Sequence, residues 1–262
     1  VNLPFQEEIP FGVDLIFSSN LGNFAVEICE DLWVTIPPSS YLALMGAHII
    51  GNLSASNELV SKADYRRNLI SNQSARSICS YIYSSAGVHE STTDVLFSGH
   101  LIISENGSLL SENKRFQRDN EIIYSYVDVF KLKAERMKNL SFRDASIFLN
   151  KTPSMINFQF TNTEIKGFDR FIDKHPFVPS SEEERDLRCR EIFNIQASSL
   201  AKRLEHTHSQ KAVVGISGGL DSTLALLVIV KTFELLNLDK KNIVTITMPG
   251  FNRKSTRLNS SH

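Results

Sequence analysis

The sequence is short of cysteine and of any surplus of one charge, and it has no long apolar run. Only 3 cysteines, Cys29, Cys79 and Cys189, stand far apart in 262 residues. A sparse, odd set of this kind excludes a disulfide framework and fits a reducing cytosol. Lys and Arg number 28 against 29 Asp and Glu, for a formal net charge of -1. No global field therefore draws the chain to nucleic acid or to a membrane surface. No stretch reaches the roughly 18 apolar residues that a membrane-spanning helix needs. Residues Val1 to Glu8 lack a charged segment followed by an apolar core, which excludes a signal peptide. They also lack an initiator Met, as expected of a chain entered partway through a longer protein.

What is present is ordinary globular composition, 42% hydrophobic and 22% charged, arranged as mixed strands and helices. Residues 13–17 and 24–28 read as strands joined through Asn20-Leu21-Gly22-Asn23, residues that favour a hairpin turn. A short helix is expected over 41–46, a buried strand over 47–53 and a long helix over 62–80, where Leu69, Ile70 and Ile78 recur at helical spacing. Strands are expected at 80–85, 95–97, 100–104 and 122–127, with a basic helix over 130–138. The mixture lacks strict βαβ alternation, which points to a layered α/β sandwich. Residues 150–180 lose periodicity and hold Pro153, Pro176 and Pro179, so residues 151–185 are expected to connect one domain, 1–150, to a second, 186–251. A helix opening on Glu182-Glu183-Glu184 and ending near Leu204 places acidic residues at its positive end.

The sharpest local signal is Ser217-Gly218-Gly219-Leu220-Asp221-Ser222, set between the apolar run Ala212 to Ile216 and the helical run Leu224 to Val230. Adjacent glycines remove Cβ atoms where backbone N–H groups must approach an anion, and the following helix points its positive end at it. Ser217, Ser222 and Thr223 add hydroxyls, and Asp221 can hold a Mg²⁺ that bridges phosphates. A bare Gly-Gly turn binds nothing more often than not; the full hexapeptide in this setting favours phosphate binding about nine to one. No Lys precedes the serine, so this is not the Gly-Lys-Ser/Thr loop. The hexapeptide resembles the pyrophosphate loop of the ATP pyrophosphatases, which cleave ATP between the α and β phosphates to adenylate a carboxylate or carbonyl oxygen. A second strand, 242–248, ends at Met248-Pro249-Gly250-Phe251, where a nucleotide base is expected at the carboxyl edge of an open sheet. The ATP-binding set is thus Gly215, Ile216, Ser217, Gly218, Gly219, Leu220, Asp221, Ser222 and Met248, with Asp221 for the metal.

Cys29 closes the strand 24–28 and precedes Glu30-Asp31-Leu32-Trp33. A lone cysteine is usually a small buried hydrophobe, and Cys79 and Cys189 are read that way. At a strand end, however, a cysteine can face a cleft while the next backbone N–H faces a developing oxyanion. Glu27-Ile28-Cys29-Glu30-Asp31-Leu32-Trp33 resembles the nucleophile motif of the nitrilase superfamily as found in glutamine-dependent NAD synthetases. Pro37-Pro38-Ser39, Asn52 to Ser56, Arg66-Arg67, Glu90 to Asp94, Pro176 to Pro179 and Asn194-Ile195-Gln196 follow in the family's order, so the resemblance covers residues 1–251. It implies a partial nitrilase-like α-β-β-α sandwich followed by the start of a Rossmann-like ATP pyrophosphatase domain. It implies further that Cys29 attacks the glutamine amide and that Glu30 and Ser56 contact glutamine. Lys62 stands where a related synthetase has an Arg that holds the substrate carboxylate. Ammonia would then amidate an adenylated nicotinate dinucleotide, yielding NAD, AMP, pyrophosphate and glutamate. The implied partners are these small molecules, ATP and Mg²⁺, in a cytoplasmic homo-oligomer.

The resemblance places the Glu and Lys of a nitrilase triad upstream of Cys29, outside these residues, and without a base a thiol stays mostly protonated at neutral pH. The chain alone is expected to be inert. Residues 252–262 are polar, do not resemble the family's continuation and are expected to be non-native. The alternative to a NAD-forming ligase is another nitrilase-fused adenylating amidotransferase.

Overall fold

The computed structural model describes residues 1–91, 94–159, 167 and 170–247. It divides into two compact units, Val1–Phe171 and Ile172–His262, each described here by itself.

The first unit is built on one sheet. Strand β1 (Leu15–Ser18) turns through Ser19 to Gly22 into antiparallel β2 (Asn23–Ile28), as the Asn-Leu-Gly-Asn turn residues require. β2 then lies parallel to β3 (Ile49–Ser54), and β3 parallel to β4 (Ser80–Ser85). Each crossover is a helix, α1 (Pro38–Leu44) and α2 (Lys62–Arg76), because parallel neighbours need a long return connection. Antiparallel β5 (Leu101–Glu105) and β6 (Ser108–Glu112) extend one edge, with Asn106 and Gly107 both at positive φ in the turn. Helices α3 (Val129–Lys138) and α4 (Leu140–Ile147) follow, and β7 (Ser154–Asn157) adds to the other edge, parallel to β1. The order is β6-β5-β4-β3-β2-β1-β7.

Burial alternates along the central strands with the period of 2 that a pleated strand imposes. Ala25 and Glu27, Ile50 and Asn52, and Tyr81 and Tyr83 are buried. Their neighbours Phe24, Ile49 and Ile82 face the opposite side, where they line an open apolar cleft of about 1010 Å³ with Phe17, Tyr126 and Phe130. Helices α1 and α2 supply Leu42, Ala43 and Ile70 to the core with Ile16, Leu32, Ile50 and Tyr81. Among the described residues the sandwich therefore shows one helical layer against one sheet.

Several sequence expectations shift. Residues 95–97 and 122–127 form no strand, and 154–157, expected within the connection, form β7. The α2 helix stops at Arg76, so Cys79 lies beyond it, fully buried, with burial pushing its thiol up to about 12. Cys189 is exposed rather than buried.

In the second unit, α5 (Glu182–Thr207) begins at Ser181, whose side chain accepts from Glu184 N–H. Strands β8 (Ala212–Gly215) and β9 (Ile243–Ile246) pair in parallel, joined through α6 (Leu220–Leu235). Leu204, Ile229 and Phe233 form the buried centre of this unit. Among the described residues, no helix is long and apolar enough to cross a membrane.

Candidate functional sites

Cys29 stands where β2 ends and a 3-10 turn (Cys29–Leu32) begins. Its φ is 50°, a left-handed conformation that costs an L-residue roughly 1–2 kcal/mol. Such strain marks positions that the surrounding structure over-determines. Several bonds do so here. The Ile28 N–H donates to Asp31 Oδ2 at 2.8 Å, closing the turn from below. Asn52 grips both sides of Cys29, accepting from its N–H at 3.2 Å and donating to its carbonyl at 3.3 Å. The Cys29 N–H is thereby occupied, and the next backbone donor along the turn is the Glu30 N–H.

The sulfur faces β3 and β4. Ser54 Oγ lies 3.5 Å from Cys29 Sγ, and the Tyr83 hydroxyl donates to Ser54 Oγ at 2.8 Å. Both residues project from the helix-covered face, brought there by the parallel pairing of β3 with β4.

Lys62 opens α2 directly after Ser61, itself at φ 67°. Its ammonium donates to the Asn57 carbonyl and to Asn57 Oδ1, each at 2.8 Å, and lies 5.3 Å from the Trp33 ring centre. Trp33 in turn stacks on Tyr65 at 5.5 Å. Burial and the Arg66 charge draw the Lys62 ammonium below its ordinary value, with Glu58 and Cys29 opposing that shift. Lys62 therefore shares the electrostatic neighbourhood of Cys29, and one of its three N–H donors remains for a ligand.

Ser56 is buried and accepts from Arg66 Nη2 at 3.4 Å. The fully buried Arg66 is the hub of an ionic cluster: it donates to Glu58 at 3.3 Å and to His100 Nδ1 at 2.9 Å, and stacks 5.8 Å from the Tyr83 ring. Since Arg66 can only donate, His100 Nδ1 must accept, so Nε2 carries the proton it gives Glu112 at 2.7 Å. Glu58 also accepts from Ser98 and, at 3.1 Å, from Arg115. Burial pushes the Glu58 carboxyl up, but the Ser98 hydroxyl and the two guanidiniums outweigh it and hold the group below 4.5.

Of the residues expected to meet glutamine, Cys29, Ser56 and Lys62 thus gather at the carboxyl ends of β2 and β3. Glu30 is exposed beside Cys29 and its side chain makes no hydrogen bond among the described residues. Sequence reasoning missed Asn52, Tyr83 and Arg66 as parts of this site. The signal for Asn52 and Tyr83 is the shared sheet face, which needs the strand register and not the sequence alone, and Arg66 reaches the same face from α2.

In the second unit the hexapeptide forms the expected strand-to-helix turn. Gly218 sits at φ 83°, and Gly219 caps α6. The loop is tied by Ser222, whose Oγ donates to the Gly219 carbonyl at 3.0 Å and accepts from Ser217 N–H at 3.3 Å. Thr223 Oγ1 donates to the same carbonyl at 3.0 Å. Ser217, Gly218, Gly219, Leu220 and Asp221 are exposed at the positive end of α6, while Gly215 and Ile216 lead in from β8. Ile216 N–H donates to the Ile246 carbonyl at 2.8 Å, which fixes the loop against β9. Met248 lies outside the described residues. No cluster of three or more His, Cys, Asp or Glu side chains suited to a metal occurs among the described residues.

Similarity to known proteins runs along most of the chain. The NAD synthase family profile matches residues 192–261, which contain the loop and extend into residues expected to be non-native. Glutamine-dependent NAD(+) synthetase from Mycobacterium tuberculosis H37Rv is 38% identical over 251 residues, covering 93% of this chain and 37% of that protein. The Mycobacterium leprae enzyme of the same name is 37% identical over 253 residues, 92% of this chain and 37% of its own length. A crystal structure of such a synthetase from Cytophaga hutchinsonii aligns with 85% of this chain and 27% of its own, at 19% identity and a TM-score of 0.38. The chain spans 37% of the length of the mycobacterial relatives.

Proposed function

Starting from a chain homologous to the glutamine-dependent NAD(+) synthetases over 93% of its length, we propose that it carries two half-sites of one ligase. Residues 1–150 contribute to a glutaminase, and residues 186–251 begin the ATP-using synthetase. The observation that carries this reading is that one continuous similarity spans both the strained Cys29 turn and the phosphate loop.

In the glutaminase, Cys29 Sγ attacks the side-chain amide carbon of glutamine. The C–N bond breaks, ammonia leaves, and water later cleaves the glutamyl thioester to glutamate. The Glu30 N–H would stabilise the oxyanion of each addition. Ser54, itself a hydrogen-bond acceptor from Tyr83, lies against the sulfur, and the spare N–H of Lys62 suits the carboxylate of glutamine. Glu30 and Ser56 would complete the glutamine contacts.

In the synthetase, the N–H groups of Gly218 and Gly219 and the amino end of α6 hold the phosphates of ATP. Mg²⁺ commonly rests on one or two carboxylates plus substrate phosphates. Exposed Asp221 at the start of α6 fits that role, and the ion would neutralise the phosphate charge. Met248 would flank the nucleotide. Cleavage between the α and β phosphates adenylates the nicotinate carboxylate of deamido-NAD; ammonia displaces AMP and yields NAD.

The test is NAD formation by the full-length protein from deamido-NAD, ATP and either glutamine or ammonium. The Cys29→Ala variant is expected to lose glutamine-driven synthesis by more than about 10³-fold while keeping ammonium-driven synthesis. A wild-type protein that forms no NAD from either nitrogen source would overturn the reading.

A further inference from the structure

Glu27 is a buried carboxylate, 2% exposed, with no Lys or Arg paired to it among the described residues. A carboxylate so placed is costly unless its hydrogen bonds are complete. It lies two residues before Cys29 and connects to it by an unbroken chain. The Ser39 N–H donates to Glu27 Oε2 at 2.6 Å, and the Tyr81 hydroxyl donates to Oε1. Asn52 Nδ2 donates to the Tyr81 oxygen at 3.1 Å and to the Cys29 carbonyl, and Asn52 Oδ1 accepts from the Cys29 N–H.

Only one arrangement of protons satisfies this chain. The Cys29 N–H can only donate, so Asn52 must turn its oxygen toward it. The amide nitrogen then faces the Tyr81 oxygen, which must accept. The single Tyr81 proton can go only to Glu27, which receives donors at both oxygens and is therefore ionised. A neutral amide in place of Glu27 keeps only one acceptor, so either the Tyr81 hydroxyl or the Ser39 N–H would face an NH2 and lose its partner. The carboxylate thus sets the direction of every bond up to the nucleophile.

We propose that Asn52 is a positioning residue that holds Cys29 in its left-handed conformation, and that Glu27, acting through Tyr81, fixes the way Asn52 presents its amide. The proposal rests on the glutaminase reading of Cys29. It adds residues that touch neither glutamine nor the reacting atoms.

The experiment uses the full-length protein with Asn52→Leu, Asn52→Asp, Tyr81→Phe and Glu27→Gln. Glutamine hydrolysis is expected to fall about 10²-fold in kcat for both Asn52 variants, the scale of a nucleophile misplaced by about 1 Å. Glu27→Gln, nearly isosteric, should lose about 10-fold because the amide leaves one of the two donors at Glu27 without an acceptor, a loss that packing alone does not predict. Tyr81→Phe should match it. KM for glutamine and ammonium-driven NAD synthesis should stay within about 3-fold throughout, since neither requires a positioned sulfur. Loss of ammonium-driven synthesis in parallel would make Asn52 a general stability residue and overturn the proposal, as would a wild-type kcat in Glu27→Gln. A second readout does not depend on glutaminase activity: alkylation of Cys29 by iodoacetamide, followed by peptide mass mapping with exposed Cys189 as internal reference. Its rate relative to Cys189 should fall in every variant. If the wild-type protein hydrolyses no glutamine, the functional reading fails. In that case positioning is decided by the alkylation alone, and an unchanged relative rate overturns it.

Discussion

An added methyl group at Gly218 would meet no atom within 4 Å, and the same is true at Gly215. The two glycines nevertheless differ, because Gly218 alone of the pair has a positive φ, 83°. Alanine there costs roughly 1–2 kcal/mol of backbone strain, while at Gly215 it costs little. If the loop keeps this conformation to hold ATP, Gly218→Ala should weaken ATP binding by about 5- to 30-fold, and Gly215→Ala should leave it nearly unchanged. Isothermal titration of the full-length variants decides the matter: equal affinities would mean that the left-handed turn is not used for binding. Cys29 is the non-glycine counterpart. Its strain is retained where glycine would remove both the strain and the sulfur, and Asn52 supplies the restraint. The glycines of the loop were legible in the sequence because glycine itself reports positive φ. The strain at Cys29 was not, since nothing in a cysteine codon announces a left-handed backbone.

Elements are held together by a few cations placed at helix ends. Arg136 of α3 donates to the carbonyls of Ala43 and Ala47, at and after the end of α1, at 3.2 and 2.6 Å. It also donates to those of Ser77 and Ile78, just beyond α2, at 3.1 and 3.0 Å. All four carbonyls lie at or just past the carboxyl ends of α1 and α2, where the helix dipoles favour a cation. Burial lowers the guanidinium to about 10, against the opposing influence of Cys79, so it stays charged at neutral pH. Arg136→Lys keeps the charge but not the fork of donors. It should destabilise the unit by about 2–4 kcal/mol, read as a lower urea midpoint with an unchanged slope; a midpoint equal to wild type would remove the latch from the account. The helices and most central strands could be read from spacing, as β2, β3, α2 and α5 show. The strand expected at 122–127 does not form: Ile122 and Tyr124 are exposed, while Tyr126 and Val127 line the open cleft. Strand β7 was hidden because four residues flanked by proline look irregular until β1 offers an edge.

At the scale of the whole first unit, four titrating groups, His48, His100, Glu58 and Glu112, make stability depend on pH in the same direction. His100 is lowered by burial first, against its bond to Glu112. His48 is buried, and its Nδ1 accepts from Asn23 N–H at 3.1 Å, so the folded ring is neutral. Burial first, then the Arg136 and Lys133 charges, lower it from 6.5 to about 4. Between those values the unfolded chain binds a proton that the folded one refuses, so stability is full above 6.5 and falls toward 4, by up to roughly 3 kcal/mol. Glu58 and Glu112 lie below the ordinary 4.5, Glu112 chiefly through its bonds from Arg67. Their contribution is present above 4.5 and is lost as pH falls through their folded values. Glu27, raised by burial against the bonds from Tyr81 and Ser39, works the other way. Its raised value favours the protonated folded state, so it offsets part of the loss at low pH. The net expectation is a stability that declines in two stages, the first from His48 and His100 below 6.5 and the second from the carboxylates beneath it. Urea unfolding at a series of pH values should show both stages in the wild type. In His48→Gln, whose amide oxygen can still accept from Asn23, the first stage should shrink to the part His100 supplies while the second remains. A first stage of undiminished size in that variant would remove His48 from the linkage.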